Sequence, residues 1–311
     1  MPGIGVILNP RAGSNRKRPE RLRQFTEAVG DDGLVCATES LAEMDEVAHD
    51  LRARAIDILA VCGGDGSYFR TLSAVVRAYG GEPLPRFLPL RAGSMNTIAR
   101  SLLWRHGTPE RVLERTVADY RAGRPCETTE RHLLGVNGHH FGFMVGAAAV
   151  VNFLREYYGG PGRGRWTAAK LVGRVAASAV AGTALARTVF QRTEADIDCD
   201  GERVPHRRFT VIYASSIRDI GLGFKATYLA TRKPGFFHLL AGPVRARQVI
   251  GGLRRLRHGW PLEVDDLYDN LAAHVHIDFA RPTEYMIDGD VLGAVSQLDI
   301  VSGPRLSIIY K

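Results

Sequence analysis

Three short segments concentrate the residue types that bind phosphate: Asn9-Pro10-Arg11-Ala12-Gly13-Ser14-Asn15, Gly63-Gly64-Asp65-Gly66-Ser67 and Arg91-Ala92-Gly93-Ser94-Met95-Asn96. Glycine lets backbone amides come close to an anion's oxygens, while Ser and Asn add side-chain hydrogen bonds. Each segment follows an apolar run and precedes a helical pattern, so the positive end of a helix adds to the attraction. A single loop of this kind reads equally as a tight turn. Three at equivalent places read as a cradle for nucleotide phosphates. Asp65 stands between glycines, where a carboxylate does little for a turn, and it is the candidate ligand for a Mg²⁺ shared with phosphate oxygens. Thr38, at the end of the second apolar run, joins the candidate set. Arg11, Arg16 and Lys17 flank the first loop, either neutralising phosphate or as solvated surface charge.

The elements that must hold these loops alternate. Apolar runs at 5–8, 34–38, 58–62 and 87–90 predict strands. Helical spacing recurs at 18–29, 41–55, 67–79, 92–103 and 109–121. Ser40 with Glu43 is a capping box ahead of the second helix. Such alternation predicts a parallel sheet with helices on its faces, and ligands of such sheets lie beyond the carboxyl ends of the strands. The Walker pattern GxxxxGK[ST] is absent. So are a GxGxxG after the first strand and the protein-kinase HRD and DFG motifs.

After Gly123-Arg124-Pro125 the pattern becomes short alternating segments at 131–136, 140–145, 195–199, 208–214, 272–279, 284–287, 297–301 and 306–310. Asp200-Gly201 is a hairpin signal. One long helix is expected over 166–190, where Lys170, Arg174 and Arg187 interrupt an otherwise apolar stretch and rule against a membrane span. Arg245–Arg257 interleaves arginine with Val249, Ile250, Leu253 and Leu256, followed by Trp260. It reads either as an interfacial basic helix or as an ordinary surface helix. His274 and His276 share one face of a strand and, with no third ligand nearby in sequence, are read as structural.

Taken together, the three loops resemble the NPxxG, GGDGT and GTxND signatures of the diacylglycerol kinase catalytic family, which includes bacterial lipid kinases, sphingosine kinases and ceramide kinases. Met286-Ile287-Asp288-Gly289-Asp290 is similar to the family's late DGE motif, with Asp290 where Glu is usual. NAD kinases and phosphofructokinases share a looser version of the GGDG element. The resemblance implies an α/β fold in two parts: an N-terminal parallel-sheet nucleotide-binding domain (1–127) and a C-terminal antiparallel β-sandwich domain (128–311), with the last strand returning to the first part and ATP in the cleft between them. It implies ATP and Mg²⁺ as cofactors. Asn9, Pro10, Ala12, Gly13, Ser14, Asn15, Thr38, Gly63, Gly64, Asp65, Gly66, Ser67, Gly93, Ser94, Asn96 and Asp290 are the nucleotide-binding candidates. Asp65 is the metal ligand, and Asp288 is the base that takes a proton from a lipid hydroxyl. On local sequence alone Asp288-Gly289 reads as a hairpin turn.

Two departures from the family pattern fall in the acceptor half. Ala148 stands where many members carry an acidic residue, leaving Asn152 or Glu156 as substitutes. Lys233-Pro234-Gly235-Phe236-Phe237 stands where bacterial relatives place acidic ligands of a structural Mg²⁺, so no such metal is expected here. The leading expectation is phosphoryl transfer from ATP to diacylglycerol, a sphingoid base or ceramide. The rivals are a kinase for a soluble acceptor, as in NAD kinases, and a catalytically weak nucleotide-binding regulator.

The chain as a whole agrees with a nucleotide-dependent enzyme. Its 311 residues suffice for two cores. A net charge of +8, with only five lysines among 41 basic residues, favours an anionic partner. An anionic membrane surface, met peripherally, is the expected partner beside the lipid substrate. No aromatic-and-basic signature supports nucleic-acid binding. Four scattered cysteines, Cys36, Cys62, Cys126 and Cys199, form no CxxC pair and suit a reducing compartment. The N-terminus shows no basic leader before a long apolar run, so a cytoplasmic protein at the inner membrane face is expected. The oligomeric state is left open, a homodimer being one arrangement.

Overall fold

Every residue of β1 (Ile4–Leu8) and β3 (Ile58–Gly63) is buried, as expected of central parallel strands covered by helices on both faces. The computed structural model describes residues 3–102 and 107–310, so the predicted end of the 92–103 helix lies outside the described residues. The chain divides into two compact units. The first comprises residues 1–131, 139–141 and 304–311, and the second comprises 132–138 and 142–303.

In the first unit the order along the chain is β1, α1 (Arg21–Val29), β2 (Gly33–Ala37), α2 (Leu41–Ala53), β3, α3 (Asp65–Tyr79), β4 (Arg86–Arg91), α4 (Thr97–Leu102) and α5 (Pro109–Arg121). β1 pairs β2 and β3, and β3 pairs β4, all in parallel, giving the order β4-β3-β1-β2. Ser40 Oγ accepts from the Glu43 amide at the start of α2, and Glu43 reaches back to the amide of Glu39. Ile4, Val6, Leu8, Ile58, Ala60 and Leu88 pack with Phe25 and Val29 of α1 and with Leu113 and Val117 of α5 in one core. Strand burial of this kind contributes about 2 kcal/mol per large side chain.

The second unit contains most of β5 (Thr128–Val136) and the end of β6 (His140–Gly142). It continues with β7 (Met144–Ala148), α6 (Ala149–Gly159), α7 (Arg165–Ala181), α8 (Ala184–Val189), β8 (Thr193–Cys199), β9 (Glu202–Arg203), β10 (Arg208–Phe209), β11 (Val211–Ser215), β12 (Phe237–Gly242), α9 (Ala246–Gly251), α10 (Leu253–His258), β13 (Tyr268–Ala272), β14 (His274–Ile287) and β15 (Asp290–Ile309). Strand pairing among β7, β8 and β11 to β14 is antiparallel. The first half of β14 pairs β8 and its last residues pair β7. The change of partner follows a register shift against β15 between Asp278 and Thr283. β14 therefore links two antiparallel groups of strands. The end of β15 belongs to the first unit, where Ile308 pairs in parallel with Phe87.

Two helix expectations need correction. The 166–190 helix is two helices, because Gly182 takes a left-handed conformation (φ 70°) and ends α7. The Arg245–Arg257 stretch is also two short helices, α9 and α10, parted at Gly252. α6 was not foreseen, because its apolar residues continue a strand-like run. The chain turns at Ala148, whose φ is 57°.

Candidate active site

The three glycine-rich loops meet at the carboxyl edge of the first unit's sheet, and every pair of them is bonded directly. Between the first and second, Asn9 Nδ2 donates to Ser67 Oγ at 2.9 Å, and Asn15 Nδ2 donates to the Cys62 carbonyl at 3.1 Å. The first and third meet where the Ser14 amide donates to the Ala92 carbonyl at 2.8 Å. Joining the second and third, the amides of Ala92 and Gly93 donate to the Gly63 carbonyl at 2.8 and 3.0 Å. Gly64 and Gly93 are packed backbone to backbone. A Cβ built on Gly93 would lie 2.4 Å from the Gly64 Cα, so no side chain fits there.

Asp65 opens α3 and spans to the third loop. Its Oδ2 accepts from the Thr97 amide at 2.9 Å and its Oδ1 from the Ile98 amide at 3.0 Å. The carboxylate thus caps α4 from outside, the role for which local sequence offered no reason. α3 itself has no side-chain cap at Gly64, and the amides of Ser67 and Tyr68 turn back to the Gly64 carbonyl at 2.9 and 3.1 Å. A fifteen-residue helix with its N-terminus at this edge favours an anion there.

A buried anchor holds the first loop. Arg21, 3% exposed, donates to Asn15 Oδ1 at 2.5 Å and to Ser14 Oγ at 3.1 Å, and pairs with Glu110 at 2.7 Å. Burial alone would raise the Glu110 carboxyl. Hydrogen bonds from its own amide, Thr108 and Arg21, with Arg21's charge, outweigh it and hold the group below its ordinary value. Neither Arg21 nor Glu110 was legible as a site residue, because they lie 89 positions apart and only the fold brings Glu110 to the arginine that holds the loop.

The expected nucleotide residues therefore divide by role. Asn15 is 3% exposed, and its amide is committed to the carbonyls of Asn9 and Cys62, so it braces the loop rather than facing a ligand. Asn96 (φ 52°) accepts from the Gly93 amide and donates to the Gly93 carbonyl, fixing the third loop on itself. Asn9 also accepts from the Arg11 amide at 2.9 Å. Ser94 is exposed, while Pro10, Ala12, Gly13, Ser14, Gly63, Gly64, Gly66 and Ser67 line the same edge. Thr38, one residue past the Leu8–Ala37 pairing, is buried with an Oγ1 that has no hydrogen-bond partner. That orphan hydroxyl is the polar atom a ligand would satisfy, and the residues present fit a bound nucleotide on this ground.

In the second unit Asp288 and Gly289 (φ 48° and 88°) form a two-residue hairpin turn between paired Ile287 and Asp290. The Asp288 carboxylate is 2% exposed. Its Oδ1 accepts from the amides of Phe143 at 3.0 Å and Met144 at 2.8 Å, and its Oδ2 lies 3.2 Å from the Phe143 amide. A Cβ on Gly142 would come within 2.8 Å of that carboxylate, so Gly142 makes the approach possible. In this conformation Asp288 positions its turn and the start of β7. Asp290 follows as the first residue of β15. The Ala148 position is the left-handed cap of α6, and Asn152 donates to the Thr188 and Val189 carbonyls of α8. The Lys233 ammonium lies 3.5 Å from the centre of the Phe236 ring. His274 and His276 both face Asp299, and no cluster with metal-ligand geometry occurs among the described residues.

The family model for the diacylglycerol kinase catalytic domain matches residues 3–122, the stretch that contains all three loops. This segment belongs to the diacylglycerol kinase catalytic family. Against the GTxND and GGDGT signatures, Ser94 and Ser67 each replace a Thr, and Thr97 replaces an Asp. The fold of the whole chain is that of solved diacylglycerol kinase structures. A Bacillus anthracis str. Sterne protein provisionally described as a diacylglycerol kinase is 14% identical, with a TM-score of 0.68 over 99% of this chain and 97% of its own. A diacylglycerol kinase from the same strain gives 0.62 at 14% identity with the same coverage. No curated protein sequence matches the chain. The matched segment is thus similar to a kinase catalytic domain, and the likeness of the remaining chain is one of fold.

Proposed function

We propose that this chain is an ATP-dependent lipid kinase that transfers the γ-phosphoryl group to the hydroxyl of diacylglycerol, a sphingoid base or ceramide. The observation that carries the reading is the locked cradle: three loops bonded pairwise, a glycine contact that admits no side chain, and the orphan Thr38 hydroxyl. Phosphoryl transfer depends on positioning and charge stabilisation, which a pre-formed cradle supplies. Asn9, Ser14 and Thr38 would hold the nucleotide, and the α3 N-terminus its phosphates. A carboxylate oxygen has two lone-pair sites, so the amide bonds of Asp65 do not by themselves bar it from holding Mg²⁺, which would neutralise phosphate charge.

In the reaction the acceptor oxygen bonds to the γ-phosphorus, the bond to the bridging oxygen of ADP breaks, and the acceptor proton must leave. Asp288 is the proposed acceptor of that proton. The Phe143 and Met144 amides use part of its lone-pair capacity and, as at Asp65, do not by themselves bar an oxygen from taking the proton. Peripheral attachment at the cytoplasmic face of the inner membrane, where such acceptors reside, belongs to the same proposal. ATP titration by calorimetry tests the donor half. Wild type binds ATP in Mg²⁺, whereas Gly93→Ala, which prises the second and third loops apart, binds at least about tenfold more weakly. Equal binding by both would remove the cradle from the account.

A further inference from the structure

α7 is apolar on two sides. Its inner face buries Ala168, Leu171, Val175 and Ala179, while Trp166, Ala169, Gly173, Ala177 and Val180 form an exposed stripe at helical spacing, with Lys170 and Arg174 at its margins. Trp166 is 83% exposed and Val180 is 70% exposed. An apolar stripe left exposed beside basic residues on a helix is the pattern of an interfacial helix. The chain segments that carry and flank it have charge of one sign. From residue 157 to 193 the chain has no acidic residue and six basic ones, Arg163, Arg165, Lys170, Arg174, Arg187 and Arg192. From 220 to 262 it again has no acidic residue.

The fold brings these two runs together within the second unit. Arg247 donates to the carbonyls of Ala179 and Val180 at the end of α7. At the other end, Asp219 lies within electrostatic reach of both Arg165 and Lys225, and the Lys225 amide donates to Leu256 of α10 at 2.7 Å. α10 leads through Gly259 to Trp260, which is 50% exposed and stacked on His258. The arginines of α9 and α10 are partly committed, Arg255 to Glu263 and Arg257 to the Leu222 carbonyl, so the open apolar surface is that of α7.

We propose that the outer face of α7, from Trp166 to Val180, is the surface by which this protein lies on an anionic lipid bilayer. A tryptophan at the helix end, small residues along the stripe and basic side chains at its margins match an interfacial helix, with the rings at headgroup depth and the cations against lipid phosphates. A bilayer offers diffuse negative charge, which matches the scattered basic groups without individually placed carboxylates. The inference rests on the lipid-kinase reading for its purpose and deepens it by naming the face that meets the substrate's bilayer. Its evidence is separate.

The test is co-sedimentation, without ATP, of the full chain with phosphatidylcholine vesicles and with vesicles containing phosphatidylglycerol. Wild type is expected to prefer the anionic vesicles and to be released by salt. Trp166→Ala should lower the affinity at least about tenfold. The triple change Arg165→Ser, Lys170→Ser, Arg174→Ser should lower it about a hundredfold. Thermal melting checks that both variants fold, and phosphorylation of detergent-solubilised lipid should stay at the wild-type level. Vesicle binding unchanged in both variants overturns the proposal, as does wild type failing to bind anionic vesicles or binding neutral ones equally well. A chain that binds vesicles through α7 yet phosphorylates no lipid would instead count against the kinase reading.

Discussion

A buried hydroxyl without a partner costs about 1–3 kcal/mol, and Thr38 carries that cost at the carboxyl end of β2. If a nucleotide repays it, Thr38→Val should raise the melting temperature of the free protein and weaken ATP binding. A variant that is less stable, or that binds ATP as well as wild type, would make Thr38 a core residue only. Asp288 shows where residue-level reading stopped. The Asp-Gly pair announced a turn and the turn formed, but nothing in sequence marked the Phe143 and Met144 amides that take up its carboxylate. Those donors lie where β7 begins, about 145 positions away. Asp288→Asn keeps the shape but places an amide NH₂ against those amides or leaves one oxygen to serve them all. A loss of about 1–3 kcal/mol in urea denaturation is expected if the carboxylate holds the turn.

At the level of elements, Asp65 belongs to α3 but stabilises α4. Asp65→Ala should therefore cost about 1 kcal/mol, the usual value of a lost helix cap, and loosen the third loop, read as faster hydrogen exchange at Thr97 and Ile98. Unchanged exchange there would refute the cap. The Arg21–Glu110 pair ties α1 to α5 and both to the first loop. A carboxyl held below its ordinary value stabilises the fold above its unfolded pKa, and that contribution is lost as pH falls through the folded value. Glu110→Gln should thus cost about 3 kcal/mol at pH 7, and the difference from wild type should shrink as pH drops below 4.5. A difference that does not change with pH would show that the pair's charge does not matter. The strands and most helices of the first unit were legible because periodicity is local. The breaks at Gly182 and Gly252 and the onset of α6 at Ala148 were not, since a glycine inside an apolar run does not say whether it will end a helix.

Across the whole molecule, alternation of strand and helix foretold the parallel sheet, and the motif order pointed to the three loops that meet at its edge. What sequence left out was the division of labour inside that site: Asn15 and Asn96 brace, Asp65 caps, Arg21 anchors, and Thr38 is left with an unmet hydrogen bond. These roles depend on which loop touches which, and only the folded sheet edge sets that. The central claim is phosphoryl transfer to lipid. Its most direct measurement is transfer of label from γ-labelled ATP to vesicle-borne diacylglycerol, sphingoid base and ceramide by wild type, Asp65→Ala and Gly93→Ala. The account predicts a labelled lipid with wild type and background label with both variants. No labelled lipid from wild type that demonstrably binds ATP, on any of the three acceptors, would contradict it.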